Sequence, residues 1–93
     1  MEGDFYEEAG ARGWTKPSAL QEKGKCVEWH YRPAHPEAGL SLFGATYPIK
    51  ETLKEMGFRW EAQRWKKKPC APEEALEILG KLDERGVCVR AYV

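Results

Sequence analysis

No apolar run in this 93-residue chain approaches the roughly 18 residues needed to span a bilayer, so a membrane-crossing helix is not expected. The first residues lack the cationic and apolar regions of a secretory leader and carry Glu2, Asp4, Glu7 and Glu8 instead. Neither charge sign dominates. Fifteen basic residues meet fifteen acidic ones, which excludes a global polycation. Cysteine is scarce: Cys26, Cys70 and Cys88 are odd in number and widely spaced. A disulfide framework is therefore not expected, and a reducing, cytoplasmic setting is.

The same scarcity argues against a metal. There is no Cys-x-x-Cys pair, and Cys26 and His30, although on one side of a strand, would sit about 13 Å apart. No cofactor is expected either, because Gly44 stands alone before a helix where a phosphate-cradling loop needs several glycines. For a nucleophile, Cys70 near a helix start suggests a lowered thiol pKa, but no histidine lies near it in sequence. Glu73 and Glu77 fall at helical spacing on a solvated face. Together these absences argue against an enzyme.

What the chain does have is an uneven distribution of charge. Residues 1–13 sum to −3, residues 50–68 to +4 and residues 71–86 to −3, a basic middle between acidic flanks. Residues 1–24 hold four of the nine glycines and no sustained period, and read as a flexible acidic arm with a short helical turn at 18–23. Residues 25–93 read as a single domain. Alternation over 25–32, with Val27, Trp29 and Tyr31 on one side, predicts a strand, and Leu40–Phe43 a second.

Pro48 opens a helix whose stripe is Ile49, Leu53 and Met56, closed by Gly57. Phe58–Trp60 and Trp65–Lys68 are the arms of a hairpin. Pro72, Glu73 and Glu74 start a second helix, striped by Ala75, Leu79 and Leu82 and ended by Gly86; Val87–Val93 is a last strand. From residue 40 the order is βαββαβ, the split βαβ or ferredoxin-like arrangement. This α+β two-layer sandwich has two helices on one face of an antiparallel sheet. The 25–32 strand would add at an edge or across one end.

Register then assigns faces. Trp60 opposite Trp65, with Phe58, would turn inward, because each aromatic buries about 150–250 Å². Arg59, Arg64, Lys66 and Lys68 would turn outward, joined on the open face by Phe43, Arg90 and Tyr92. Rings among cations suit single-stranded nucleic acid: Phe43 and Tyr92 would stack bases, and Arg59, Arg64, Lys66, Lys68 and Arg90 would follow phosphates. The acidic 1–13 stretch would lie over this face and compete. Lysines on a hairpin also serve simply to discourage edge-to-edge aggregation. A protein partner docking on the edge strand or the aromatics, or a homodimer pairing the open faces, is the alternative.

Residues 42–69 run Leu-Phe-Gly-Ala-Thr-Tyr-Pro-Ile-Lys-Glu-Thr-Leu-Lys-Glu-Met-Gly-Phe-Arg-Trp-Glu-Ala-Gln-Arg-Trp-Lys-Lys-Lys-Pro. They resemble a small Trp-containing hairpin module appended to primase- and topoisomerase-like proteins of bacteria and phages, and are similar to the HARP domain of DNA-annealing helicases. Leu53, Lys54, Gly57, Arg59, Trp60, Trp65 and Pro69 carry the likeness. Here only 61–64 bridge the arms, shorter than the Asp-containing turn of that module. The resemblance implies a DNA-associated accessory module.

Overall fold

The computed structural model describes residues 2–92. The alternating stretch forms β1 (Val27–His30), with Val27, Trp29 and the following Tyr31 buried. β2 (Leu40–Gly44) pairs antiparallel with β1 and with β4 (Arg64–Lys67), and β3 (Arg59–Glu61) pairs antiparallel with β4. β5 (Val89–Ala91) runs parallel to β1. The sheet order is β3-β4-β2-β1-β5, so the protein is a small α+β domain with a mixed, open, five-stranded sheet.

This corrects one expectation. The 25–32 strand is not an addition at an edge: β1 stands between β2 and β5, splitting the four-strand order anticipated for the ferredoxin-like arrangement. The reason is burial. A strand carrying Val27, Trp29 and Tyr31 on one side needs cover over its whole width, which an interior position between two strands supplies. The two edges fall to the three-residue strands β3 and β5, and short edges limit unwanted pairing. Val93, read as the inward end of the last strand, lies outside the described residues.

Three helices accompany the sheet. A 3-10 turn at Tyr47–Ile49 leads into α2 (Lys50–Glu55), whose Leu53 is fully buried with Ile49 and Met56 packed against the core. Gly57, at φ 96°, ends it, and the Phe58 N–H donates back to the Leu53 carbonyl at 2.9 Å. α3 (Pro72–Glu84) buries Ala75, Ile78, Leu79 and Leu82. Both follow the periodicity of the chain closely.

The third helix corrects the reading of residues 1–24 as a flexible arm. α1 (Glu2–Ala11) buries Phe5 and Ala9, and Trp14 follows into the core. Phe5 meets Trp29 and Tyr31 edge-on, at 5.4 and 5.0 Å between ring centroids. The Trp29 indole N–H donates to the Trp14 carbonyl at 2.9 Å, and α1 packs on α3. Two apolar positions in an acidic helix make a weak amphipathic signal. Here the aromatics of β1 supply the missing partner.

Residues 16–24 then cross to the other side of the sheet. The Ala91 N–H donates to the Lys16 carbonyl, Pro17 bridges Ala91, and a 3-10 turn follows at Leu20–Glu22. The expected turn within 18–23 is thus present, as part of a strap rather than of a loose arm.

Candidate functional site

The hairpin β3–β4 takes the anticipated register, with Trp60 opposite Trp65, Arg59 opposite Lys66 and Glu61 opposite Arg64. Its two-residue turn puts Ala62 at φ 52° and Gln63 at φ 62°, a type I′ conformation usually given to Asn-Gly. The indoles meet edge-on at 5.3 Å. They are not equally hidden, which corrects the inward assignment of both. Trp65 is 7% exposed and Phe58 3%, whereas Trp60 is 58% exposed. Trp65 has a strand on each side, while Trp60 sits on the outermost strand with a strand on one side alone.

Trp60 borders an open cleft of about 340 Å³ lined by Gly44, Thr46, Tyr47, Lys50, Trp60 and Trp65. Tyr47 is 75% exposed, and the Lys50 ammonium lies 4.2 Å above its ring, a cation–π contact. Gly44 makes this corner possible. At φ 81°, a β-carbon there would lie 2.6 Å from the Cys26 carbonyl oxygen, so only glycine lets β2 turn so close to β1. The turn delivers Thr46 and Tyr47 beside the hairpin.

The opposite face of the hairpin is cationic. Arg59, Lys66 and Lys68 line a second cleft with Gly57 and Glu61. Among the described residues no ion pair reaches Arg59, Arg64 or Lys66, and Lys68 reaches Glu61 at 3.5 Å with both side chains exposed. Such a surface pair adds little and yields easily to a competing anion. Lys67 points the other way, to Glu74 of α3 at 3.3 Å.

The remaining anticipated contacts are otherwise engaged. Phe43 and Tyr92 stack on each other, 4.2 Å apart and 16° from parallel, and the Arg64 guanidinium lies 5.1 Å from the Phe43 ring centre. Arg90 is held by Glu22, with Nη2 3.1 Å from Oε2 and Nε 3.3 Å from Oε1. Glu28 accepts from Ser18 Oγ at 2.8 Å and pairs with Lys23 at 3.6 Å. The Ala19 N–H, and after it Arg90, hold the Glu22 carboxyl below its usual pKa. The β1–β5 half of the open face thus lies under residues 16–23. Among the described residues of the acidic N-terminal stretch, α1 lies against α3 rather than over this face.

The cysteines depart from expectation twice. Cys26 and Cys88 are joined by a disulfide, although the sparse set argued for unpaired thiols. Bonds of this kind persist in oxidising surroundings and open in reducing ones. Cys70 is fully buried, and burial first, then the Glu74 carboxylate, push its thiol pKa up to about 12 rather than down. That is the wrong direction for a nucleophile. No helix of the described residues is long and apolar enough to cross a membrane.

Tyr47, Lys50 and the exposure of Trp60 were missed from the sequence. A signal existed: in the anticipated strand order, the first arm of the hairpin is an outer strand, so its aromatic has only one strand beside it. Comparison with protein-family models, curated proteins and solved structures finds no match to the chain. The fold and surface define a small α+β domain with one stitched sheet edge and one edge presenting aromatics and cations.

Proposed function

We propose that this domain is a non-enzymatic accessory module that binds nucleic acid, single-stranded or forked DNA in preference to intact duplex, along the outer edge of its β3–β4 hairpin. The carrying observation is Trp60, a large indole 58% exposed on an edge strand, with Tyr47 and Lys50 beside it and Arg59 and Lys66 on the reverse face. A strand of nucleic acid laid along β3 stacks bases on Trp60 and Tyr47, at about 1–3 kcal/mol per base. Its phosphates meet Arg59, Lys66 and Lys68, while Arg64 stays against the Phe43 ring. Phe43 and Tyr92 brace the sheet against each other, and Arg90 braces the strap. The likeness of residues 42–69 to hairpins of DNA-associated proteins points the same way.

The test is fluorescence anisotropy of labelled single-stranded and duplex oligonucleotides at two salt concentrations, with Lys66→Glu/Lys68→Glu as the charge-reversed control. Expected are tighter binding of single strands, a steep loss of affinity between about 50 and 200 mM salt, and at least a ten-fold loss in the variant. Wild type and variant binding alike, both weaker than about 10^-4 M, would remove this reading.

A second reading rests on a different property of the same edge. Among the described residues β3 has no strand on its outer side, and all three of its residues are exposed, which suits strand addition by a protein partner. Backbone pairing of that kind is insensitive to salt, so the titration separates the two.

A further inference from the structure

The other end of the sheet carries donor chemistry that nucleic-acid binding does not use. Cys26 and Cys88 immediately precede the parallel strands β1 and β5, in register, with Cα atoms 4.6 Å apart. Glu22 arrives from the strap, and its carboxylate oxygen and the two sulfurs all lie within 4.8 Å of one another. Cys26 is buried, while Cys88 and Glu22 are half-buried, so the group is walled by protein yet reachable.

Each donor is placed by contacts other than the S–S bond. The Val27 N–H donates to the Cys88 carbonyl at 2.8 Å, and the Ala45 N–H to the Cys26 carbonyl at 3.1 Å. Glu22 is oriented by the Ala19 N–H at 2.9 Å and by Arg90. None of these bonds involves a sulfur, so none is broken when the disulfide opens.

We propose that Cys26, Cys88 and Glu22 form a thiol-dependent site for a zinc-class divalent cation, closed by the disulfide and opened by reduction. A dithiol reductant supplies two electrons and two protons. The Sγ–Sγ bond breaks, two thiols form, and the reductant leaves as its own disulfide. The cation then displaces both thiol protons to solvent, making two metal–sulfur bonds and one bond to a Glu22 oxygen, with water in the fourth position. Zinc–sulfur bonds of about 2.3 Å and zinc–oxygen bonds of about 2.0–2.2 Å place neighbouring ligands roughly 3.5–3.8 Å apart. Two unbonded sulfurs on these paired strands and the adjacent carboxylate span that distance with little movement. Two thiolates and one carboxylate outweigh the dication by one negative charge, which the Arg90 guanidinium balances. Arg90 then acts through Glu22, as outer hydrogen-bond partners of metal ligands do.

The experiment titrates zinc, with a chromophoric chelator as competitor, into the full chain in its oxidised and reduced forms. Cadmium in place of zinc reports thiolate bonding by charge-transfer absorption. Expected are one equivalent bound to the reduced chain, with the cadmium–thiolate band, and none bound to the oxidised chain. Cys70→Ser should bind as wild type does, Glu22→Gln more weakly because it loses a charged oxygen ligand, and Arg90→Gln about ten-fold more weakly through Glu22. Cys26→Ser/Cys88→Ser should lose the cadmium band. Far-UV circular dichroism checks that it folds, and reduced wild type alkylated at exposed thiols serves if it does not. Equal zinc affinity in oxidised and reduced wild type, or a cadmium band that survives in the double variant and vanishes in Cys70→Ser, would overturn the proposal.

Discussion

The two edges of the sheet are both three-residue strands, yet they are finished in opposite ways. At β5 the edge is stitched: Lys16 and Pro17 run beside Ala91, Glu22 holds Arg90, and the disulfide ties Cys88 to Cys26. At β3 none of the described residues runs along the outer side of the strand, Trp60 stands exposed, and the turn holds Ala62 and Gln63 at positive φ. A short edge left bare and lined with aromatics and cations is costly to solubility unless something uses it. A short edge closed by three independent contacts holds the domain together. Stability and binding therefore separate along the sheet, and that separation can be tested.

The largest expected effect comes from opening the disulfide. It closes a loop over a sequence separation of 62 residues, for which chain entropy gives about 4 kcal/mol. Reduction under a metal chelator should lower the urea midpoint accordingly while leaving oligonucleotide affinity unchanged. A change in affinity would break the comparison. Next, Phe5→Ala removes a fully buried ring that meets Trp29 and Tyr31, at about 3 kcal/mol by equilibrium unfolding. A loss below about 0.5 kcal/mol would show that α1 adds little to the core.

Trp60→Ala should do the reverse. Its effect on stability should be small, because the ring is mostly exposed, while single-strand affinity falls by about 1–3 kcal/mol. Equal losses in both would erase the distinction between the edges. The turn offers a smaller, sharpening test. Ala62→Asn/Gln63→Gly supplies the residues that positive φ favours, and should raise stability by about 1 kcal/mol without touching the disulfide end.

A pH series probes the core between the edges. Burial pushes the Tyr31 hydroxyl up from 10.0 to about 12 and the Cys70 thiol up from 9.0 to about 12, and the Tyr31 hydroxyl donates to the Cys70 carbonyl. The folded chain holds both protons more tightly than the unfolded chain. Their contribution is therefore complete below pH 9, falls as pH rises from there, and is lost by about pH 12. Unfolding midpoints from neutral to alkaline pH check the direction. Cys70 should resist thiol reagents until denaturant is added.

Legibility followed the range of the interaction involved. The strand at 40–44 and the helices after Pro48 and Pro72 were readable because their apolar periods and Gly57 and Gly86 stops lie within a few residues. The pairing of Trp60 with Trp65 was readable because a two-residue turn sets it. α1 was not, because Phe5 and Ala9 gain their worth only from Trp29 and Tyr31, some twenty residues on. Three of the seven anticipated binding residues also take partners within the fold. Arg90 met Glu22, and Phe43 met Tyr92, through pairings no local pattern encodes.

From residue 25 onward, residue order alone thus determined where the chain extends, coils and turns, and which side chains share a strand face, since alternation and helical repeat are local properties of the backbone. Tertiary structure decided which strands are interior, which cysteines join, and whether an aromatic is core or surface. Burial is set by what lies across the sheet, and Trp60 and Trp65, facing each other with the same side chain, differ only in having a neighbour beyond.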